Sequence, residues 1–514
     1  MKTFHFRAMF AAIAVSLALA GACGVSDLVA QANPSSPSES IVINAQSPAH
    51  PFPHYWEKMF GSGHAILALR RSYSHDLIKM KRVTDLQYVR FHGIFDRDVG
   101  LYSENREGNP EYNFTNVDQI YDSLLDNGVR PFVELSFMPQ DLASTPRQQE
   151  FFYHPYIAAP KDWKRWGDLV YAFTQHLIDR YGIDEVSQWY FEVWNEPNIG
   201  FWAGQPKQAT YFHLYDVAAR ALKTVSPRLR VGGPATAQAA WVSAFINHCA
   251  QNHIPVDFVS THVYGDDTAE DVLGTHQKIA RRDMVVMAVK KVHAEVKSSP
   301  LPNLPIIFSE YNATYMNIRD ITDSPFMGPW LAETIGRCDG LVHLLSYWAF
   351  SDVFEEQGVA RTPFYGGYGL VATGHIPKPA YNDFVLLHHL GRERLDQESG
   401  PVIVTRRADG TLAIALWNYA PPGNGGTVRT YKLSFTGLPG THRAIIWTVD
   451  KNHGSPLATW EAMGQPNFPS RAQQQILRQA AQLPPPTIEA VPVDNPSLTL
   501  TLEPHALSLI EITQ

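Results

Sequence analysis

Trp189-Tyr-Phe-Glu-Val-Trp-Asn-Glu196-Pro197 reads as a buried strand that stops on a carboxylate. Its aromatic and β-branched run predicts the strand, and a helical pattern ending near Tyr181-Gly182 leads into it. A Glu beside an amide at a buried strand end has no packing use, because an unpaired buried charge is costly. For a single residue of this kind, a structural Glu paired with an Arg is the plainer reading. Pro305-Ile-Ile-Phe-Ser-Glu310-Tyr-Asn312 repeats the pattern, a short apolar strand ending on Glu. Two such strands point to a paired-carboxylate site.

Outward from these two strands the chain alternates. Predicted strands begin near Lys58, Tyr88, Pro131, Trp189, Leu229, Val256, Pro305 and Leu341, and helical patterns separate them. Repeated βα units argue for a parallel sheet, and eight of them for an α/β fold of the (β/α)8 TIM-barrel type. A doubly wound open sheet is the competing architecture, but no Gly-rich phosphate loop follows the first strand. Glu196 then follows the fourth strand and Glu310 the seventh. His92, Glu196, His262, Glu310 and Trp348 all fall at C-terminal strand ends, where barrels place their chemistry. After about residue 392 short strands between turn signals predict an accessory all-β sandwich, interrupted by a helical stretch at 473–482. The expected organisation is a targeting segment over 1–32, then a linker and N-terminal strand over 33–52. The catalytic barrel covers 53–392 and the C-terminal sandwich 393–514.

A net charge of −8 gives no footprint for nucleic acid or an anionic membrane surface. Lys2 and Arg7 precede an apolar run, and Ala30-Gln31-Ala32 offers a small-x-small cleavage site. Export is therefore expected, periplasmic or extracellular, with a mature start near Asn33 and no later membrane span. An uncleaved anchor and lipidation at Cys23 are the alternatives. Cys249 and Cys338 make no disulfide framework, and no ligand spacing indicates a metal, so neither metal nor cofactor is expected. The sequence leaves the oligomeric state open, a homo-oligomer included.

Two carboxylates facing each other across a barrel mouth suit glycoside hydrolysis. One protonates the leaving oxygen, and the other attacks or assists across the anomeric carbon. Glu196 follows Asn195, a donor for a sugar 2-hydroxyl, and is expected to be the acid/base; Glu310 is expected to be the nucleophile. The nucleophile's charge would itself raise the acid's pKa.

The motifs extend further: FEVWNEPN (191–198), VGGPA (231–235), PVDFVS (255–260) with His262, EYN (310–312), SYW (346–348), FSDVFEE (350–356), GGYGLVA (366–372) and IPKPA (376–380). Together they resemble glycoside hydrolase family 39, and within it the bacterial β-xylosidases, over most of residues 55–385. The resemblance implies a retaining exo-β-1,4-xylosidase acting on xylo-oligosaccharides or another glycoside. It implies Glu196 as acid/base and Glu310 as nucleophile. His92, Asn195, His262 and Glu356 are implied sugar-hydroxyl ligands, with Glu355 an alternative to Glu356. Tyr264 and Trp348 are implied pocket-wall residues, Trp348 as a stacking platform. One departure stands out: Tyr365 precedes Gly366-Gly367 where the xylosidases lead one to expect His. Family 39 also implies alternatives, among them arabinosidase, glucosidase, galactosidase and α-L-iduronidase, the last needing a cationic ligand such as Arg361. A catalytically idle carbohydrate-binding protein is the alternative from another class.

Overall fold

The computed structural model describes residues 38–397, 400–423 and 425–513. The expected targeting segment and its cleavage site lie outside the described residues. Eight parallel strands close into a barrel: β1 Met59–Gly61, β2 Tyr88–Phe91, β3 Arg130–Leu135, β4 Tyr190–Val193, β5 Arg230–Thr236, β6 Phe258–Tyr264, β7 Ile306–Asn312 and β8 Leu344–Tyr347. Parallel neighbours require a crossover, and each gap holds a helix. These are α1 Arg71–Lys81, α2 Thr115–Asp126, α3 Trp163–Tyr181, α4 Lys207–Val225, α5 Val242–Gln251, α6 Arg281–Lys297 and α7 Met327–Cys338. An eighth, α8 Pro379–His388, follows β8; its Pro at the first helical position starts it, as that residue does well. Local chemistry sets these ends. Asp162 caps α3 by accepting from the N–H groups of Lys164 and Arg165, and Gly182 ends it with φ of 82°.

The barrel interior is layered. Met59, Phe132, Tyr190, Phe258, Ile307 and Leu344 fill its lower part. Nearer the C-terminal ends, the inward residues are instead charged: Arg90 on β2, Glu134 on β3 and Glu192 on β4, with Glu134 and Glu192 paired in register. The apolar layer closes the floor, and the charged layer above it carries the site.

The antiparallel sheets form a sandwich. One holds Ser38–Asn44, Arg429–Thr436 and Ser497–Leu502; the other has seven strands, from Ala49–Pro51 at one edge to Thr487–Val491 at the opposite edge. Ser38–Asn44 runs parallel to Arg429–Thr436, which places the N-terminal strand in this sheet. Alternate residues Tyr431, Leu433, Phe435, Leu498, Leu500 and Leu502 fill the space between the sheets. On the other face of the large sheet Ile403, Ala413, Ala415, Trp417, Leu507 and Leu509 are continuous with the barrel's core. The sandwich thus shares its packing with the barrel. Its helical excursion, Leu457–Ala462 and Arg471–Ala480, packs Trp460 and Leu477 on Phe364, Ala372 and Ile376 in the loop after β8. That loop also carries Glu356. No helix among the described residues is long and apolar enough to cross a membrane.

Candidate active site

Glu196 leaves β4 in a strained turn. Trp194 and Glu196 adopt φ of 74° and 45°, a region that costs a non-glycine residue on the order of 1 kcal/mol. Neighbouring contacts hold the turn. The Trp194 indole donates to the Phe201 carbonyl at 2.8 Å, and the Glu196 N–H donates to the Ala235 carbonyl at 2.7 Å. Glu310 stands within β7, buried on both faces of its strand. A carboxylate oxygen of each residue lies within 4.8 Å of one on the other.

The two carboxyls meet different surroundings. Glu310 accepts from Arg90 Nη1 at 2.6 Å and from the Tyr264 hydroxyl at 2.6 Å, with His92 Nε2 3.8 Å away. Burial pushes its pKa up, while Arg90, His92 and Tyr264 pull against that and favour the carboxylate. Glu196 has no such cation in contact. Burial, then the charges of Glu310 and Asp267, raise it well above the ordinary range. Both carboxyls are thus raised by burial, but Glu310 alone has a guanidinium and a hydroxyl that favour its carboxylate, which sets the two apart.

Arg90 is the centre of this arrangement. It is fully buried and donates to Glu192 Oε2 at 2.6 Å, Glu134 Oε2 at 2.7 Å and Asn195 Oδ1 at 3.0 Å besides Glu310. His92 Nδ1 bonds Glu134 at 2.8 Å, and its Nε2 lies 3.5 Å from Glu356. Burial opposes its charge, but Glu134, Glu356 and Glu310 raise its pKa to about 10, so the imidazole is cationic.

A cavity of about 280 Å³ opens over these groups. Among the expected residues His92, Asn195, Glu196, Tyr264, Glu310, Trp348 and Glu356 line it. Trp348 forms part of the wall 4.8 Å from the His92 ring, seated against Gly61; a Cβ there would meet the indole at 2.0 Å. His262 departs from its expected place. It is wholly buried and lies outside the lining, with Nδ1 3.0 Å from Glu196 and 3.6 Å from Glu310. Burial and the charges of Arg90 and His92 keep it neutral, so it braces the two carboxyls instead of facing a sugar. The choice between neighbours is also plain. Glu355 pairs bidentately with Arg70, whereas Glu356 faces the cavity. Tyr365 does not line it either; the ring packs over Gly367, behind the wall. Arg361 is exposed and outside the lining.

Sequence reading missed Arg90, Glu134, Glu192 and the lining residues Asp267 and Tyr368. The available signal was a charge in the middle of a buried strand: Val89-Arg90-Phe91, Val133-Glu134-Leu135 and Phe191-Glu192-Val193 each show it. Asp267 accepts from the Tyr264 N–H at 2.7 Å, and burial raises it to about 7.

The family model of glycosyl hydrolases family 39 matches residues 39–496. A beta-xylosidase from Geobacillus stearothermophilus is 38% identical over 477 residues, 90% of this chain and 93% of the relative. Another from Caldicellulosiruptor saccharolyticus is 34% identical, over 89% and 95%. The crystal structure of a monomeric beta-xylosidase from Caulobacter crescentus CB15 superposes with a TM-score of 0.83 at 32% identity, covering 92% of this chain and 99% of that one. A closed barrel with two unlike carboxyls at its mouth, matched to these relatives over nearly its whole length, makes the chain a member of glycosyl hydrolases family 39 and a glycoside hydrolase.

Proposed function

We propose that the enzyme is a retaining exo-β-xylosidase, with Glu310 as nucleophile and Glu196 as acid/base. The observation that carries this is the closeness of the two carboxyls, within 4.8 Å by their nearer oxygens. Retaining enzymes hold their carboxyls about 5–5.5 Å apart, whereas inverting ones leave room for a water at about 6.5–9.5 Å. Glu310 forms the bond to the anomeric carbon as the glycosidic bond breaks, and Glu196 gives its proton to the leaving oxygen. Water then attacks the glycosyl-enzyme, its proton passing to Glu196, and Glu310 is released.

Substrate size and charge are argued from the cavity. Its volume of about 280 Å³ suits one sugar ring more than an extended chain, which supports end-on, exo cleavage. His92, Asn195 and Glu356 are placed to bond hydroxyls, and Trp348 to face the ring. No Lys or Arg lines the cavity among the described residues, while Asp267 and Glu356 do. The one cationic side chain in the lining, His92, is already paired with Glu134 and Glu356, so the charge pattern disfavours a uronide and supports a neutral sugar. The beta-xylosidase relatives favour xylose among neutral sugars. Export remains part of the reading, on the basic-then-apolar N-terminus alone.

A panel of aryl glycosides tests the substrate. The β-D-xyloside is expected to give the highest kcat/KM against the β-D-glucoside, β-D-galactoside, both α-L-arabinosides and the α-L-iduronide. Preference for another sugar by about tenfold would move the specificity, and the iduronide as best substrate would sink the charge argument.

The acid role gives a pH prediction. Glu196 is active while protonated, so kcat/KM should fall as pH rises through its raised pKa. In Glu196→Ala the alkaline limb should disappear, and turnover of phenyl β-xyloside should drop roughly 10²–10⁴-fold. A dinitrophenyl xyloside, which needs little protonation, should lose far less in the glycosylation step. An alkaline limb that persists unchanged in the variant would assign it to another group.

A further inference from the structure

We propose that the outer wall of the pocket is a binding site for an apolar leaving group, so that the preferred substrates carry an aryl or alkyl aglycone in place of a second sugar. This rests on the exo-glycosidase reading above, which puts the sugar at the bottom and the aglycone at the mouth. The polar groups that line the cavity sit deep, around His92, Asn195, Asp267 and Glu356. Toward the mouth the wall changes character. Ile199 and Phe201 follow Glu196 on the same loop, with the Ile199 N–H bonded to the Glu196 carbonyl at 3.2 Å. Phe151 meets Phe201 edge-on at 5.2 Å between ring centres. All three line the cavity beside the group that would protonate the departing oxygen.

The wall continues into solvent. Phe152 is 57% exposed and Val359 64%, and Tyr315 on the β7 loop is 49% exposed. Phe152 and Val359 are neighbours in space. The Phe152 N–H donates to the Glu356 carbonyl at 2.8 Å, and a Cβ built on Gly358 would sit 3.6 Å from the Phe152 ring. Exposed apolar side chains scattered singly mean little; here Phe152 follows the lining residue Phe151 in the chain, and Tyr315 itself lines the cavity. Two glutamines also reach the outer lining: Gln238, whose amide donates to Asp271 at 3.3 Å, and the exposed Gln357. Ile199, Phe151 and Phe152 offer a second xylose no side-chain donor or acceptor, whereas a ring or alkyl chain would cover them.

The test is a series of methyl, butyl and octyl β-D-xylosides, whose leaving alcohols have nearly equal acidity, with xylobiose beside them. The readout is kcat/KM relative to the methyl xyloside within each protein. In the wild type it should rise at least about tenfold from methyl to octyl, since each methylene covered on the wall adds affinity. Octyl xyloside should also exceed xylobiose. In Phe152→Ser/Val359→Ser the rise should shrink to about threefold or less. Both residues are exposed, so an unchanged melting temperature should accompany the loss. A flat wild-type series, or xylobiose preferred over octyl xyloside, would overturn the inference while leaving the xylosidase reading intact. A steep series unaffected by the double substitution would overturn the assignment to this wall. Failure of the xylosidase reading would show separately, as absent turnover of every xyloside in the aryl panel.

Discussion

Glu310→Ala is expected to lower turnover of every glycoside by roughly 10⁴-fold or more, the scale on which removal of a covalent nucleophile acts. The loss should fall on kcat, because the residues proposed to bind the sugar, His92, Asn195, Trp348 and Glu356, remain in place. The variant also leaves Arg90 Nη1 and the Tyr264 hydroxyl facing the space that the carboxylate filled. A small anion should enter that space. Azide is therefore expected to restore part of the activity of Glu310→Ala by attacking from the vacated face, releasing a glycosyl azide of inverted configuration. In Glu196→Ala azide should instead intercept the glycosyl-enzyme and give the azide with retained configuration. Product stereochemistry by NMR thus reports each carboxyl separately. Residual turnover above about 1% in Glu310→Ala, or a retained azide from it, would contradict the nucleophile assignment.

Much of the architecture was legible because it depends on periodicity. The βα alternation fixes a parallel barrel regardless of what lies inside it, and the strand containing Ile306–Asn312 is apolar enough to be recognised alone. The helix Pro379–His388 lies past the eighth strand, and Pro379 is the one start signal its sequence carries. The short strands Ala49–Pro51 and Glu393–Leu395 were also missed. Each is three residues long and takes its conformation from its partner more than from its own side chains. At the site, Glu196 and Glu310 were legible by position, since a charge at a buried strand end has little structural use. His262 sits at such an end too, yet it is wholly buried against the two carboxyls and outside the cavity lining. Sequence gives the strand end but not the depth. The interior ion network was the largest omission. Glu192 lies inside the very stretch that decided the fold, but a single buried charge in a strand does not name its partner. Arg90 lies 102 residues away from it and becomes its partner only when β2 and β4 enter one barrel.

That network makes Arg90→Met the second large effect expected. Arg90 neutralises Glu134, Glu192 and Glu310 at once, with each carboxylate at 2.6–2.7 Å and no solvent contact. Removing one partner of a buried ion pair strands the other charge, at a cost of about 3–5 kcal/mol. Glu134 and Glu310 would then share His92 while Glu192 would keep only the Ser309 hydroxyl, so the melting temperature should fall by several degrees or more. Activity should change in a manner that simple destabilisation does not produce. Arg90 lowers the pKa of Glu310 against burial. Without it Glu310 stays protonated to higher pH, so the acidic limb of kcat/KM should shift upward and the active window narrow from that side. Well below the melting temperature, kcat should also fall roughly 10²-fold or more, as expected when a charge that orients and ionises a nucleophile is lost. Arg90→Lys separates the contributions. It keeps the positive charge but cannot reach three acceptors in different directions. It should therefore restore part of the acidic limb while recovering little of the stability. If Arg90→Met melts like the wild type and keeps its acidic limb, the three carboxylates are not balanced by this guanidinium, and the division of Glu196 and Glu310 into acid and nucleophile needs another source of charge.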